Sequence, residues 1–332
     1  MKSLESEVRR RILQGGLGLA AGAALAPAAA WAQDKYPSKP IRLVLGFPPG
    51  GSTDIVARIV AQQLGTVLNT SIVVENKPGA NATIGTDMVA RATPDGYTLT
   101  LAGLSPLVMA QLTSRIPYDS LRDFAGVTSV AFTPELLAVN PKVPARDLKE
   151  LVALSKTRQV TISSSGNGGL PHLTIEQIKA QTGGQIVHVP YKGASPAVTD
   201  TIGGHVDAVV MDLPAVREAV LAGQLRGLTL FHTNRSVALP DVPTSAESGF
   251  PALQALNWHG VLAPANTPQA IIGTLHAGLL KALNAQATKD SLAQAGFEPF
   301  YQASPEKFRE FLGSEFDKWG KVVKSSGVQF KG

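Results

Sequence analysis

The chain has no cysteine among its 332 residues. That excludes disulfides, thiolate metal sites, a catalytic thiol and the cysteine on which a lipid anchor is built. Charge is sparse too: Asp, Glu, Lys and Arg make up 17% of the sequence, and 30 basic against 25 acidic residues leave a formal net charge of +5. No run of Lys and Arg interleaved with aromatics accompanies this excess, so nucleic acid is not an expected partner. No Gly-Lys-Ser or Gly-Lys-Thr follows a glycine loop, which excludes a Walker phosphate site. The glycine spacing fits no dinucleotide fingerprint, so no cofactor is expected. No serine meets the Gly-x-Ser-x-Gly pattern of the esterase elbow. His172, His188, His205, His232, His259 and His276 are scattered, so no metal site is expected. Asp207 and Asp212 stand five residues apart on one strand, on opposite faces, which disfavours a general acid–base pair. No catalytic residue is therefore assigned.

Long apolar runs are missing beyond residue 32, and with them any expected membrane span in the remainder. The N-terminus has one short apolar stretch. Arg9-Arg10-Arg11, the apolar and small residues from Ile12 to Leu25, and the triplet Ala30-Trp31-Ala32 read as an export signal cleaved after Ala32. The arginines before Ile12-Leu13-Gln14 resemble a twin-arginine signal; a general secretory signal fits as well. An amphipathic N-terminal helix on an unexported protein is the opposing reading. Without residues 1–32 the chain keeps 300 residues, 26 of them basic and 23 acidic. That is enough for two domains held by their core alone.

The most informative stretch runs from Ile41 to Arg58. An apolar run to Phe47 predicts a buried strand. Pro48-Pro49-Gly50-Gly51 breaks it. Ser52, Thr53 and Asp54 are three successive N-cap candidates. Ile55, Ile59, Val60, Leu64, Val67 and Leu68 then mark the apolar face of a helix over 54–68. A helix start presents unpaired backbone N–H groups and the positive end of the dipole, and glycines let an anion come close. A tight turn with a capped helix accounts for the same residues equally well.

The grammar then recurs. Strands are expected over 71–75 and 97–102, with a helix between them from Ala82 to Ala92. An extended apolar segment from Val127 to Val139 is interrupted by Thr133-Pro134. A helix from Asp147 to Lys156 precedes a strand from Val160 to Ser164. The glycine turn Ser165-Gly166-Asn167-Gly168-Gly169-Leu170-Pro171-His172 leads to a helix from Leu173 to Thr182. After a strand from Ile186 to Pro190, Ser195 is the expected cap of the next helix, with Pro196 at its first position. The strand Val206–Met211 closes on Asp212. A helix from Pro214 to Ala222 and a strand from Leu225 to Phe231 follow. Helices are expected from Pro268 to Gln286 and from Ser304 onward, with Gly327 as a stop. Strands alternating with helices imply a mainly parallel sheet covered on both faces. Two α/β halves with glycine turns at strand C-termini imply a cleft between them.

Several runs resemble one family closely. They are Phe47-Pro48-Pro49-Gly50-Gly51-Ser52-Thr53-Asp54, Val73-Val74-Glu75-Asn76-Lys77-Pro78-Gly79-Ala80, Ile116-Pro117-Tyr118-Asp119, Val189-Pro190-Tyr191-Lys192-Gly193, Gly203-Gly204-His205-Val206-Asp207 and Leu239-Pro240-Asp241-Val242-Pro243-Thr244. The chain resembles the Bug family, the periplasmic solute-binding component of tripartite tricarboxylate transporters, along nearly its whole length past the signal. The resemblance implies a two-domain Venus-flytrap fold of the periplasmic-binding-protein type. It places residues 33–135 plus 240–332 in domain 1 and 136–239 in domain 2, with hinges near 133–139 and 235–244. It implies a monomer that captures a small carboxylate in the cleft and docks on integral membrane transporter subunits. The ligand residues it implies are Phe47, Gly50, Gly51, Ser52, Thr53, Asp54 and Ser105 on domain 1. On domain 2 they are Ser165, Asn167, Gly168, His172, Tyr191, Gly193 and Asp212. Relatives usually carry Asn-Pro near a Leu-Tyr pair where this chain has Val108-Met109-Ala110-Gln111-Leu112, so ligand choice does not carry over.

Read as residues alone, Asp54 serves equally as a helix cap, and His172 as a packing histidine. Lys192 is the one basic residue expected in a cleft loop. The function expected is an exported receptor, not an enzyme. A sensor subunit presenting its closed form to a membrane kinase is the alternative. An exported α/β hydrolase is a third, lacking a convincing nucleophile–base pair.

Overall fold

The computed structural model describes residues 36–326. The expected export signal and the stop at Gly327 lie outside the described residues. Residues from Lys39 onward form one unit, separate from the short stretch before it, and the fold described is that of this unit.

The first strands are built from apolar and β-branched residues, β1 (Ile41–Leu45), β2 (Ile72–Asn76) and β3 (Thr98–Gly103). They pair in parallel, with Ile41 opposite Ile72 and Arg42 opposite Thr98. Between them lie α1 (Ser52–Leu68) and α2 (Thr83–Ala90). β1 ends two residues earlier than its apolar run suggests. A Cβ on Gly46 would collide with the Ala82 carbonyl, so the backbone there bends to let the next turn pass. α1 buries Val56, Ala57, Val60, Ala61 and Leu64, whereas Ile55 and Ile59 are only half-buried. The small residues let α1 lie closer to its neighbours than a face of branched side chains would allow.

Ser105–Met109 forms a single π-turn running into α3 (Ala110–Thr113). The chain then extends through β4 (Phe124–Val139), one strand of 16 residues. Thr133-Pro134 does not interrupt it. Pro134 cannot donate to a ladder, and it stands where the strand changes partners. Residues 124–134 pair with a strand over Leu256–Pro264, while 135–139 pair with strands over Ala208–Asp212 and Arg226–Leu230.

The second set repeats the first: α4 (Leu148–Thr157), β5 (Val160–Ser164), α5 (Leu170–Thr182), β6 (Ile186–Pro190), α6 (Ala194–Gly203), β7 (Ala208–Asp212), α7 (Leu213–Leu221) and β8 (Arg226–Leu230). β5, β6 and β7 are parallel. β9 (Leu256–Pro264) has no counterpart among the expected strands, yet it sits between β3 and β4, antiparallel to both. The ten strands follow the order β2-β1-β3-β9-β4-β7-β5-β6, with β8 and β10 (Glu298–Pro299) also on β4. The sheet is therefore mixed: parallel where helices cross over, antiparallel where β4, β8, β9 and β10 join.

After α8 (Gln269–Asn284) and α9 (Gln286–Gln294), the chain ends its described part in α10 (Pro305–Ser326). Ser304 caps α10, accepting from Lys307 N at 3.3 Å. Phe308, Leu312 and Trp319 are buried in the larger core cluster, each aromatic worth about 2–3 kcal/mol of burial. Glu315 shares their stripe. Its carboxylate accepts Trp258 Nε1 at 2.8 Å and Trp319 Nε1 at 3.2 Å, which locks α10 onto β9. Among the described residues, no helix is long and apolar enough to cross a membrane.

Candidate functional site

The turns after β1 and β5 are two copies of one backbone design. Gly50 and Gly168 take left-handed φ of +84° and +77°. Gly51 and Gly169 follow as N-caps, with φ/ψ of −84°/173° and −80°/171°. Neither cap has a side-chain hydrogen bond. Ser52, Thr53 and Asp54 are thus first-turn residues rather than caps, because the glycine's extended backbone already fills that position. For the same reason α5 starts at Leu170 rather than Leu173. α6 likewise caps on Gly193 at φ +114°, again without a side-chain bond. That leaves Ser195 and Pro196 inside the helix. Three helix starts therefore present backbone N–H groups that no cap side chain occupies.

Each of the two matched turns is braced from beneath. Gly50 N donates to Asp54 Oδ2 at 3.0 Å. Gly168 N donates to His172 Nδ1 at 3.0 Å. Asp54 also accepts two bonds from Arg58, at 2.8 and 2.9 Å, and one from Asn76 Nδ2 at 3.0 Å. The same Asn76 amide holds the Phe47 carbonyl at 3.0 Å. The Arg58 hydrogen bonds, against burial, bring the Asp54 carboxyl down to about 2. In the second turn His172 stacks on His188, with ring centroids 3.9 Å apart and 16° between planes. Ser164 Oγ lies 2.6 Å from His188 Nε2. Burial pushes His172 below its ordinary value. Burial, helped by His172, takes His188 down to about 4. Both rings are neutral near pH 7.

A cavity of about 1570 Å³ opens over these turns. Phe47, Gly50, Gly51, Ser52, Thr53, Ser105, Ser165, Asn167, Gly168, Gly193 and Asp212 all line it. Asp54, His172 and Tyr191 do not appear on its surface. The first two are the braces just described, and the Tyr191 hydroxyl donates to Asp200 Oδ2 at 2.7 Å. Lys192 is exposed and off the lining, whereas Arg115, in the turn after α3, is on it. Among the described residues of the lining, Arg115 and Asp212 carry the only formal charges.

Two further segments of the lining escaped sequence reasoning. Ala80, Asn81 and Thr83 join the lining from the turn before α2. There Ala80, Asn81 and Ala82 hold φ of +45°, +52° and +73°, a strained run of the kind that gathers at functional sites. Asn257 and His259 reach the lining from β9. Asn257 Nδ2 donates to both Asp212 oxygens, at 2.9 and 3.1 Å. His259 Nε2 meets Thr53 Oγ1 at 3.2 Å. Burial takes His259 down to about 4 although Asp212 pulls the other way. The Gly79-Ala80 pair was visible in the sequence; β9 gave no periodic signal. No group of three or more His, Asp or Glu able to hold a metal occurs among the described residues.

Comparison with known proteins places this geometry in context. Residues 56–328 match the tripartite tricarboxylate transporter family receptor. Protein BugT of Bordetella pertussis (strain Tohama I) is 38% identical over 320 residues, covering 95% of this chain and 97% of that protein. A structure of a periplasmic transporter aligns at 40% identity and a TM-score of 0.80, covering 89% of this chain and 100% of that one. R. palustris Rpa4515, solved with adipate, aligns at 31% identity and a TM-score of 0.81, covering 89% and 99%.

Proposed function

The chain belongs to the tripartite tricarboxylate transporter receptor family, and from that premise we propose that it captures a small organic acid in the periplasm and delivers it to the membrane subunits of such a transporter. It is a solute-binding protein with the α/β fold of the periplasmic binding proteins. The observation that carries the assignment is the pair of matched Gly-Gly helix starts at one cavity. Their N–H groups are unclaimed by caps. Two dipole ends facing one space suit a carboxylate without an arginine clamp. The adipate in the R. palustris relative fits the same class of ligand.

In this reading the two sheet halves are the two lobes. β4 crosses between them at Thr133–Glu135. The return crossing falls at Ala255–Leu256, later than residue 240, because Thr244 still bridges Leu230 and Ser245 N donates to the Leu230 carbonyl. The ligand residues are those of the lining. Asp54 and His172 hold the turns in shape, and Tyr191 anchors α6. The chain acts as a monomer and turns nothing over. A ligand favours closure only by binding the closed form better.

Isothermal calorimetry with C4–C6 mono- and dicarboxylates tests the assignment. The expected result is one saturable site per chain and a rise in melting temperature with concentration. Binding by none of these acids, nor by their amino-substituted counterparts, would overturn it.

A further inference from the structure

The floor of the cavity is rich in acceptors. Asp212 is the one acidic residue on the lining, and both its oxygens accept from Asn257 Nδ2, as a carboxylate's do. Glu135 stands directly opposite it in the antiparallel β4–β7 register, so the two side chains share a face. Glu135 is fully buried, and apart from Asp212 its oxygens have no hydrogen-bond partner. Burial, then the charge of Asp212, holds Glu135 neutral. A neutral carboxyl has one O–H to give, and Asp212 is the acceptor beside it. Asp212 is thus supported by Asn257 and Glu135, with lone pairs left for the cavity it lines. His259, two residues from Asn257 on the same face of β9, adds a buried Nδ1 with no partner.

A site for a simple dianion gains nothing from a carboxylate on its floor. We propose that the ligand is a zwitterionic acid, its carboxylate on the Gly51 and Gly169 helix starts and its ammonium group on Asp212. This rests on the carboxylate reading of the cavity. Thr53 in the first turn of α1 touches His259, and Asp212 touches Asn257, one pleat repeat of about 7 Å along β9. A linear ω-amino acid can reach from one such position to the next.

Matched pairs test this by calorimetry on the full chain: 4-aminobutanoate against glutarate, and 5-aminopentanoate against adipate. Each pair shares its methylene count and differs only in the far end, an ammonium donor against a carboxylate acceptor. The ω-amino acid is expected to bind at least about tenfold tighter than its partner in one pair or both, as a charge-assisted hydrogen bond allows. Asp212→Asn, checked by circular dichroism, is expected to remove that preference. Dicarboxylates that bind while ω-amino acids do not would overturn this inference and leave the carboxylate reading intact. Silence of both classes would overturn both. The wild-type comparison decides even if the variant does not fold.

Discussion

Gly50 and Gly168 differ by only 7° in φ, 84° against 77°, and each gives its N–H to the side chain four residues on. In the first turn that side chain is a carboxylate neutralised by Arg58. In the second it is an imidazole stacked on another. The backbone shape is thus set by the paired glycines and the reach-back bond, and the chemistry of the brace is free to vary. What both braces share is the lack of a net charge beneath the cup. An uncompensated carboxylate there would repel an arriving anion, and a protonated histidine would trap it. The two turns reach the same field by different routes.

The comparison breaks or sharpens most clearly at the caps. Gly51→Asp and Gly169→Asp each put a tethered carboxylate where the cap side chain is missing, and each position has room for a Cβ, with nothing nearer than 3.7 Å. Both variants should keep the wild-type circular dichroism and lose ligand affinity by at least about 100-fold in calorimetry. A loss in only one would assign the ligand's carboxylate to that turn. A loss in neither would end the cup reading.

Removing the braces comes next. Asp54→Ala strands four donor groups, on Gly50, Arg58 and Asn76, and should cost about 2–3 kcal/mol in urea unfolding. His172→Gln, whose amide oxygen replaces Nδ1, should cost about 1 kcal/mol. Acid should then separate the two turns. His188 is depressed in the fold, so the unfolded chain binds more protons below its ordinary value near 6.5. Its stabilising contribution is complete above that pH and lost as pH falls to about 4. Asp54 is likewise depressed, from 3.8 to about 2, so its contribution is lost only below about 3.8. The protection factor of the Gly168 amide should therefore fall between pH 6.5 and 4 while that of the Gly50 amide holds. Simultaneous loosening would show that the braces do not act separately. The smallest effect lies one turn away in each half. Gly193→Ala meets no neighbour within 4 Å, so its cost is backbone strain alone, about 1 kcal/mol. Asn81→Gly should change stability by less than about 0.5 kcal/mol, because Asn tolerates the left-handed region.

Much of this was legible from residues. The alternation of strands and helices and the two glycine turns followed from periodicity and turn chemistry, whereas the individual lining residues expected were those the family resemblance implied. The caps were misplaced because Ser52, Thr53 and Asp54 are good cap residues standing one to three positions late, behind a glycine that takes the role by conformation. Asp54 and His172 read as ligand groups because polarity beside a glycine turn cannot reveal whether a side chain faces the cavity or supports it from behind. β9 was invisible for a related reason. Asn257, His259 and Gly260 break its apolar pattern, and two of these line the cavity. The residues that give the strand its place at the site are those that hide it from a reading of hydrophobicity.

The position of β9 also dictates an order of assembly. Every strand of the second half lies between residues 135 and 230, so that half can complete its pairing from contiguous chain. The first half cannot. β3 and the first part of β4 are separated by a gap that only residues 256–264 fill. Loop closure over so long a separation is slow. During synthesis or translocation the amino-terminal strands must wait, half-paired and exposed, for a segment that emerges more than a hundred residues after them. A chaperone that holds the chain would be needed most over that interval, and for β1 to β3.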